Sequence, residues 1–268
     1  MKSKRPLIIG LVVLAVLLVV IVGGVIAFNA MMEAPDTSDG LYDPSVGATP
    51  TPTPEPTPTP MLPEMAALYE KNKDVVGWIK IPDTKLDYAV VHTPDDPQKY
   101  LYMDLDGDWS GFGTIFIEGE CSMEPRSTNL LFHGHNMLNG SMFRTLTEYK
   151  NERFFDEHPI IEFSDLYEKK EYEIFAVVRD RIYHNYEECF KYYEFLDPAT
   201  EEEFNEGIAY FKEHSIYDTG ITPVYGDKLI TLSTCAYHVE NGRMLVLARE
   251  IVEPEVTPTP TPAVTPQA

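Results

Sequence analysis

Alternating threonine and proline at two places decide which part of this chain can fold. Six of its 22 prolines fall in residues 49–60, and five more fall in residues 254–268. Proline fixes φ and has no backbone N–H, so such tracts exclude helix and sheet and favour extended polyproline II. At about 3.1 Å per residue, the first tract predicts a spacer roughly 37 Å long. Residues 61–253 are therefore the predicted globular domain, and residues 254–268 are a predicted disordered tail.

An uncharged apolar run, Leu7–Phe28, precedes the first tract. As a helix it would span about 33 Å, which exceeds the roughly 30 Å hydrocarbon core of a bilayer. It is also longer than the apolar core of a cleaved signal peptide, so residues 1–30 are predicted to be a cytoplasmic tip and an uncleaved signal-anchor. Basic residues precede the run and acidic residues follow it. The positive-inside rule then predicts a single-pass protein of the cell membrane, with residues 31–60 as an extracellular Thr/Pro-rich spacer.

Charge and cysteine content exclude two classes of protein. The formal net charge is −22, whereas a protein that binds nucleic acid by neutralising phosphates would be basic, so no nucleic-acid partner is predicted. Three cysteines cannot close a disulfide framework and have no paired metal-ligand spacing. The 44% hydrophobic content excludes a fully disordered acidic chain.

Short apolar runs separated by turn residues repeat along residues 61–253 and predict eight strands. Such spacing is typical of an antiparallel barrel or sandwich, and we predict a mainly β fold, a barrel with helical insertions. Helical patterns occur at Pro63–Asn72 and Ser141–Lys150, and a capping box at Thr200 begins a third helix. The predicted strands are 77–81, 87–91, 114–118, 129–133, 160–163, 172–178, 228–232 and 243–250.

Cys235 is the cysteine most suited to chemistry because it ends an apolar strand pattern, Leu229–Cys235. Strand ends on a rigid scaffold commonly present functional residues. A buried cysteine is also a common core residue, so this pattern alone leaves both interpretations open. Cys121 in a polar loop and Cys189 among Tyr and Glu residues are predicted to have structural or surface roles.

Two histidines and one arginine are candidate partners for this thiol. His133 and His135 flank Gly134 at a predicted strand end, but no third ligand at diagnostic spacing supports a metal site, and none is predicted. Arg243 opens a strand after an Asn-Gly turn, so a hairpin would return its guanidinium towards Cys235. A cation beside a thiol stabilises a thiolate or an oxyanion, while the alternative is a surface arginine.

These segments resemble sortases. Thr231–Cys235 followed by Arg243–Ala248 is similar to the signature around their active-site Cys and Arg. Asn129–Met137 resembles the strand carrying their catalytic His; the His after Gly matches, so the resemblance selects His135. His133 then stands where an aromatic residue is common.

The resemblance covers about residues 65–252 and includes features of class B. Asp74–Thr84, Gly113–Ile117 and Met142–Leu146 resemble segments of class B sortases, as does the helix beginning at Thr200. The implied fold is a sortase-like closed β-barrel of about eight strands, preceded by one transmembrane helix.

The implied activity is that of a cysteine transpeptidase that anchors secreted proteins to the cell wall. Cys235 would attack the Thr carbonyl of a C-terminal sorting motif and form a thioacyl-enzyme, which an amino group of peptidoglycan or its lipid-linked precursor would resolve. His135 would be the general acid and base, and Arg243 would hold the substrate or its oxyanion. No metal or organic cofactor is implied.

The resemblance also implies a set of substrate-binding residues. Leu101, Ser233 and Thr234 match positions near the substrate groove, and the backbone N–H of Ala236 is a candidate second oxyanion donor.

Three alternatives remain at this point. A hydrolytic wall cysteine peptidase would cleave without transfer, although papain-like peptidases place Cys before His and this chain has the opposite order. A pilin-assembling sortase of another class would carry an upstream Asp-Pro-aromatic lid, which this chain lacks. A non-catalytic wall-associated module would use its Thr/Pro spacers and carry an inert cysteine.

Overall fold

The computed structural model describes residues 59–252. The predicted signal-anchor and nearly all of the predicted spacer lie outside these residues, as does the predicted tail. Within residues 59–252, no helix has the length and apolar character needed to cross a membrane.

Eight strands close into a barrel in the order β1-β2-β3-β4-β7-β8-β6-β5, which confirms the predicted mainly β barrel. They are β1 (Val75–Lys80), β2 (Asp87–Val91), β3 (Ile115–Ile117), β4 (Asn129–His133), β5 (Ile160–Asp165), β6 (Lys169–Arg181), β7 (Leu229–Cys235) and β8 (Gly242–Glu250). The expected purely antiparallel pairing is wrong in two places, because β2–β3 and β4–β7 are parallel. Parallel neighbours need a long crossover connection, and the segments after β2 and β4 supply one.

The burial pattern of each strand follows its position in the barrel. β1 alternates buried and half-buried residues, as expected where one face meets the core. In β7 the first six residues are all buried; the segment Phe143–Lys150 packs close to this strand, and the Ser233 hydroxyl bonds to that of Tyr192. Inside the barrel, Phe132 and Phe163 meet edge to face with ring centroids 5.0 Å apart.

The helices are α1 (Pro63–Lys71), α2 (Glu152–Glu157) and α3 (Glu201–His214), with 3-10 segments at Lys99–Leu101, Phe143–Lys150 and Tyr192–Glu194. Proline at the first position of α1 suits the helix start, where no intrahelical donor is needed. The Thr200 hydroxyl accepts from the N–H of Glu203, which confirms the predicted cap of α3. The helix predicted at Ser141–Lys150 is a 3-10 segment that begins at Phe143.

Candidate active site

One edge of the barrel collects the residues selected from the sequence. β4 and β7 are parallel neighbours in which His133 is level with Ser233, so both strands end at the same edge. β8 is antiparallel to β7 and begins at that edge. The residues that follow β4, end β7 and begin β8 are therefore brought together.

Cys235 and Arg243 are direct partners across β7 and β8, which confirms the predicted hairpin. Side chains of directly opposed residues have Cβ atoms about 4.5–5.5 Å apart. Nη1 of Arg243 donates to the carbonyls of Asn241 and Gly242, at 3.2 and 3.0 Å. These bonds anchor the guanidinium to the hairpin on the side where the thiol lies.

The structure does not support the prediction that the backbone N–H of Ala236 is an oxyanion donor. Its backbone N–H donates to the carbonyl of Gly242 at 2.9 Å and closes the hairpin. An N–H already bonded within the hairpin is not available to a developing oxyanion, and Ala236 does not line the cleft described below. The sequence pattern missed this because the loop geometry after Cys235 decides where that N–H points.

His135 lies beyond the end of β4 and is oriented by the backbone. Its Nε2 is 2.8 Å from the carbonyl oxygen of Leu101, and its ring lies against Tyr102 with centroids 5.4 Å apart. A carbonyl can only accept, so Nε2 carries a proton and Nδ1 is the ring nitrogen left for proton exchange. Leu101, predicted as a substrate contact, therefore also positions the imidazole.

The residue between the two histidines must be glycine. A Cβ on Gly134 would lie 2.7 Å from the ring of Phe143, closer than real contacts allow. The Gly134 carbonyl accepts from the Thr234 hydroxyl at 2.7 Å. This bond ties the segment bearing His135 to the residue just before Cys235.

The predicted site residues other than Ala236 line a cleft of about 370 Å³ at this edge of the barrel. The predicted residues in it are His135, Cys235, Arg243, Leu101, Ser233 and Thr234. Ser233 and Thr234 are almost fully buried, and their hydroxyls already bond to Tyr192 and Gly134. They therefore line the cleft with hydroxyls that are each already bonded within the protein.

Comparison with known proteins identifies the family. A model of the Sortase domain matches residues 79–251. The chain belongs to the sortase family. It is 32% identical to Sortase B of Listeria monocytogenes over 192 residues, which cover 71% of this chain and 75% of that protein. It is 28% identical to Sortase B of Staphylococcus aureus over 191 residues, 70% of this chain and 75% of that protein.

Solved structures give the same result. The structure of a Staphylococcus aureus sortase B-substrate complex has a TM-score of 0.63 at 27% identity and covers 71% of this chain and 86% of that one. Sortase B from Bacillus anthracis in complex with AAEK1 has a TM-score of 0.63 at 28% identity, with coverages of 72% and 90%. This sortase is therefore of class B and is a cysteine transpeptidase.

Three features of this sortase site were not identified from the sequence. The Asn136 amide donates to the carbonyl of Cys235 at 2.7 Å and accepts from Arg144 at 3.2 Å, so it holds the backbone of the thiol-bearing residue. Its position next to His135 in the His motif was the available signal. Ile182 lines the cleft from the end of β6, and Glu118 lines it from the end of β3.

Glu118 is paired with His133, the histidine that the resemblance set aside. Oε2 of Glu118 is 3.0 Å from Nε2 of His133, and Oε1 accepts from the Gly119 N–H at 2.8 Å. The hydrogen bond from His133 is the main cause that lowers the pKa of Glu118 below its ordinary value. This carboxylate is therefore ionised at neutral pH.

Replacing Arg243 with lysine is expected to lower kcat/KM by about 10²-fold. Lysine keeps the charge but has no planar fork, so it cannot bond the hairpin carbonyls while still facing the cleft. The measurement is steady-state cleavage of a quenched peptide. Arg249→Lys on the same strand is the matched control, since Arg249 pairs with Glu173 outside the cleft. An Arg243→Lys enzyme with over half the wild-type activity would contradict the assignment.

Cys121 is expected to resist alkylation in the folded protein. Its side chain is buried, and burial raises its pKa to about 12, so almost no thiolate forms near neutral pH. Treatment with iodoacetamide at pH 8 followed by peptide mass spectrometry should show labelling of Cys189 and Cys235 first. Cys121 should react only after denaturation; equal labelling of all three in native protein would refute this.

Proposed function

We propose that this sortase cleaves a C-terminal sorting motif of secreted proteins at Thr and transfers the Thr carbonyl to an amino group of peptidoglycan or its precursor. The observation that carries the proposal is the convergence of Cys235, Arg243 and His135 at one barrel edge, in a single cleft. A nucleophile, a fixed cation and a proton-transferring group are the parts that acyl transfer requires.

In the first half-reaction, the Cys235 thiolate attacks the Thr carbonyl carbon. The oxyanion that forms faces the guanidinium of Arg243, whose charge stabilises it. When the C–N bond breaks, His135 gives a proton to the leaving amine, and the Thr carbonyl remains bound to sulfur as a thioester.

In the second half-reaction, an acceptor amine attacks the thioester carbonyl. His135 takes the proton from the attacking nitrogen, the C–S bond breaks, and the Cys235 thiolate is restored. Asn136 and the Leu101 carbonyl hold the thiol-bearing backbone and the imidazole in place through both steps. No metal or organic cofactor takes part.

Solved relatives support both classes of substrate. One similar structure is a Staphylococcus aureus sortase B-substrate complex, and another is a Sortase B complexed with triglycine, at 27% identity and a TM-score of 0.63. A peptide donor and an amino-terminated acceptor are the corresponding ligands proposed for this chain.

The proposal extends to the ends of the chain. Residues 7–28 anchor the enzyme in the cell membrane with the N-terminus in the cytoplasm, and residues 31–60 space the catalytic domain, 61–253, from the outer face. Secreted proteins and lipid-linked precursors arrive at that face. Membrane fractionation tests this: the full chain should sediment with membranes, and a chain lacking residues 7–28 should not.

The decisive experiment separates transfer from hydrolysis. The full chain in detergent is incubated with a panel of quenched peptides carrying candidate sorting motifs, with and without triglycine. Mass spectrometry should show a peptide cleaved after Thr and joined to triglycine. Cleavage that yields only the free acid at saturating triglycine would favour the hydrolytic peptidase, and no cleavage across the panel would remove the enzyme assignment.

A further inference from the structure

The pair formed by Glu118 and His133 lines the catalytic cleft but has no role in the two half-reactions. Both side chains are accessible, with exposed fractions of 30% for Glu118 and 22% for His133. Phe116 lies directly opposite His133, with ring centroids 5.2 Å apart, and supports the pair from β3. The cleft therefore presents a rigidly held carboxylate to whatever it binds.

The strand register gives the distance of this pair from the thiol. His133 is level with Ser233 on the neighbouring strand, and Ser233 is two residues before Cys235. With about 3.3 Å per residue along a strand and about 4.8 Å between strands, the backbone of His133 lies roughly 8 Å from that of Cys235. Glu118 approaches His133 from the side away from β7, because β3 is the next strand in the barrel.

This backbone separation favours a side chain of the bound peptide, rather than the attacking amine, as the ligand of the pair. A nucleophile about to react must be within roughly 3–3.5 Å of the carbonyl carbon, and that carbon is bonded to Cys235. An extended peptide advances about 3.3 Å per residue. A side chain two or three residues from the cleaved Thr is therefore at the right distance to meet Glu118.

Charge determines which side chains this position accepts. Among the residues that line the cleft, Glu118 supplies a carboxylate and Arg243 a guanidinium, which are groups of opposite charge. A carboxylate is an acceptor only, so it bonds ammonium, guanidinium or amide N–H groups. An acidic side chain at the same place would meet like charge, which disfavours binding.

We propose that Glu118, held by His133, is a specificity-determining residue that binds a cationic or amide side chain of the sorting motif, two or three residues from the cleaved Thr. The inference rests on the proposed function, since it takes the cleft to be the sorting-motif site. It concerns substrate choice rather than chemistry.

The test measures peptide binding, so that it does not depend on turnover. A positional-scanning library keeps Thr fixed and places Lys, Gln or Glu at one position at a time, within three residues on either side. The full-chain Cys235→Ala protein captures peptides from it, and mass spectrometry gives the enrichment at each position. At one position two or three residues from Thr, Lys should exceed Glu by about 10-fold, with Gln in between.

Variants assign that preference to the carboxylate. Adding Glu118→Gln should reduce the Lys-over-Glu ratio to below about 3-fold, and adding Glu118→Lys should invert it. Glu120→Gln is the matched control, because Glu120 is exposed and does not line the cleft. It should leave the ratio unchanged. Equal melting temperatures of all variants exclude unfolding as the cause.

Two results would overturn the proposal. The first is a Lys-over-Glu ratio that neither Glu118→Gln nor Glu118→Lys changes. The second is a Glu118→Gln variant that changes only the triglycine concentration needed to saturate the turnover assay. That result would show that the pair binds the acceptor amine. Failure of the wild-type enzyme to cleave any peptide would instead refute the proposed function, while the binding ratio would still decide the role of Glu118.

Discussion

Replacing Cys235 with alanine is expected to abolish peptide cleavage and transfer, with kcat/KM lower by about 10³-fold or more. No second thiol in residues 59–252 can substitute for it. Cys121 is buried against the Asn129 carbonyl of β4 with a raised pKa, and Cys189 is exposed outside the cleft. The loss should appear in the quenched-peptide assay, and intact-mass spectrometry should detect a thioacyl adduct on the wild-type protein only.

Cys189→Ala is the matched control for this experiment. It removes an exposed thiol that does not line the cleft, so activity should stay within about two-fold of wild type. The melting temperature of Cys235→Ala should remain close to that of wild type, because Cys235 is only half-buried at the end of β7. Equal activity of Cys235→Ala and wild-type proteins across a broad motif panel would contradict the nucleophile assignment.

Replacing His135 with alanine is expected to lower kcat by about 10²–10⁴-fold, the range typical for loss of a general acid and base. His135 is held by the Leu101 carbonyl at 2.8 Å with its other ring nitrogen left for proton exchange. Steady-state kinetics with a donor peptide and triglycine measure the effect in both half-reactions.

His133→Ala is the comparison that makes this result specific. His133 lies two residues before His135 and pairs with Glu118. Its loss should therefore leave kcat within about 10-fold of wild type and act mainly on peptide binding. The opposite outcome, an inactive His133→Ala and an active His135→Ala, would exchange the roles of the two histidines.

The strand positions show which parts of the fold a short sequence window reveals. β2 and β4 have the predicted bounds, because apolar runs flanked by turn residues identify them. β6 is longer than predicted and continues through polar residues to Arg181. There Asp180 is buried and accepts hydrogen bonds from the hydroxyls of Tyr183 and Tyr210, partners no local pattern reveals.

The site residues likewise fall into those that a short stretch of sequence can place and those that depend on distant strand pairing. Cys235 and Arg243 could be paired from the sequence because a strand, a turn and a returning strand are local. The motif around His135 identified that residue by family resemblance. Its approach to Cys235 depends on parallel pairing of β4 with β7, between segments about 100 residues apart. Such pairing is decided by which faces bury together, so it cannot be read from either strand alone.

The sequence by itself determined the barrel class and the family, and it predicted the three residues assigned to chemistry. Only the tertiary structure decided that the Ala236 N–H is used within the hairpin, that Asn136 holds the Cys235 carbonyl, and that Glu118 pairs with His133. The physical reason is the distance along the chain over which each interaction acts. Turn chemistry and apolar alternation act between near neighbours, whereas these hydrogen bonds depend on the packing of distant strands and on the loop geometry that the closed barrel imposes.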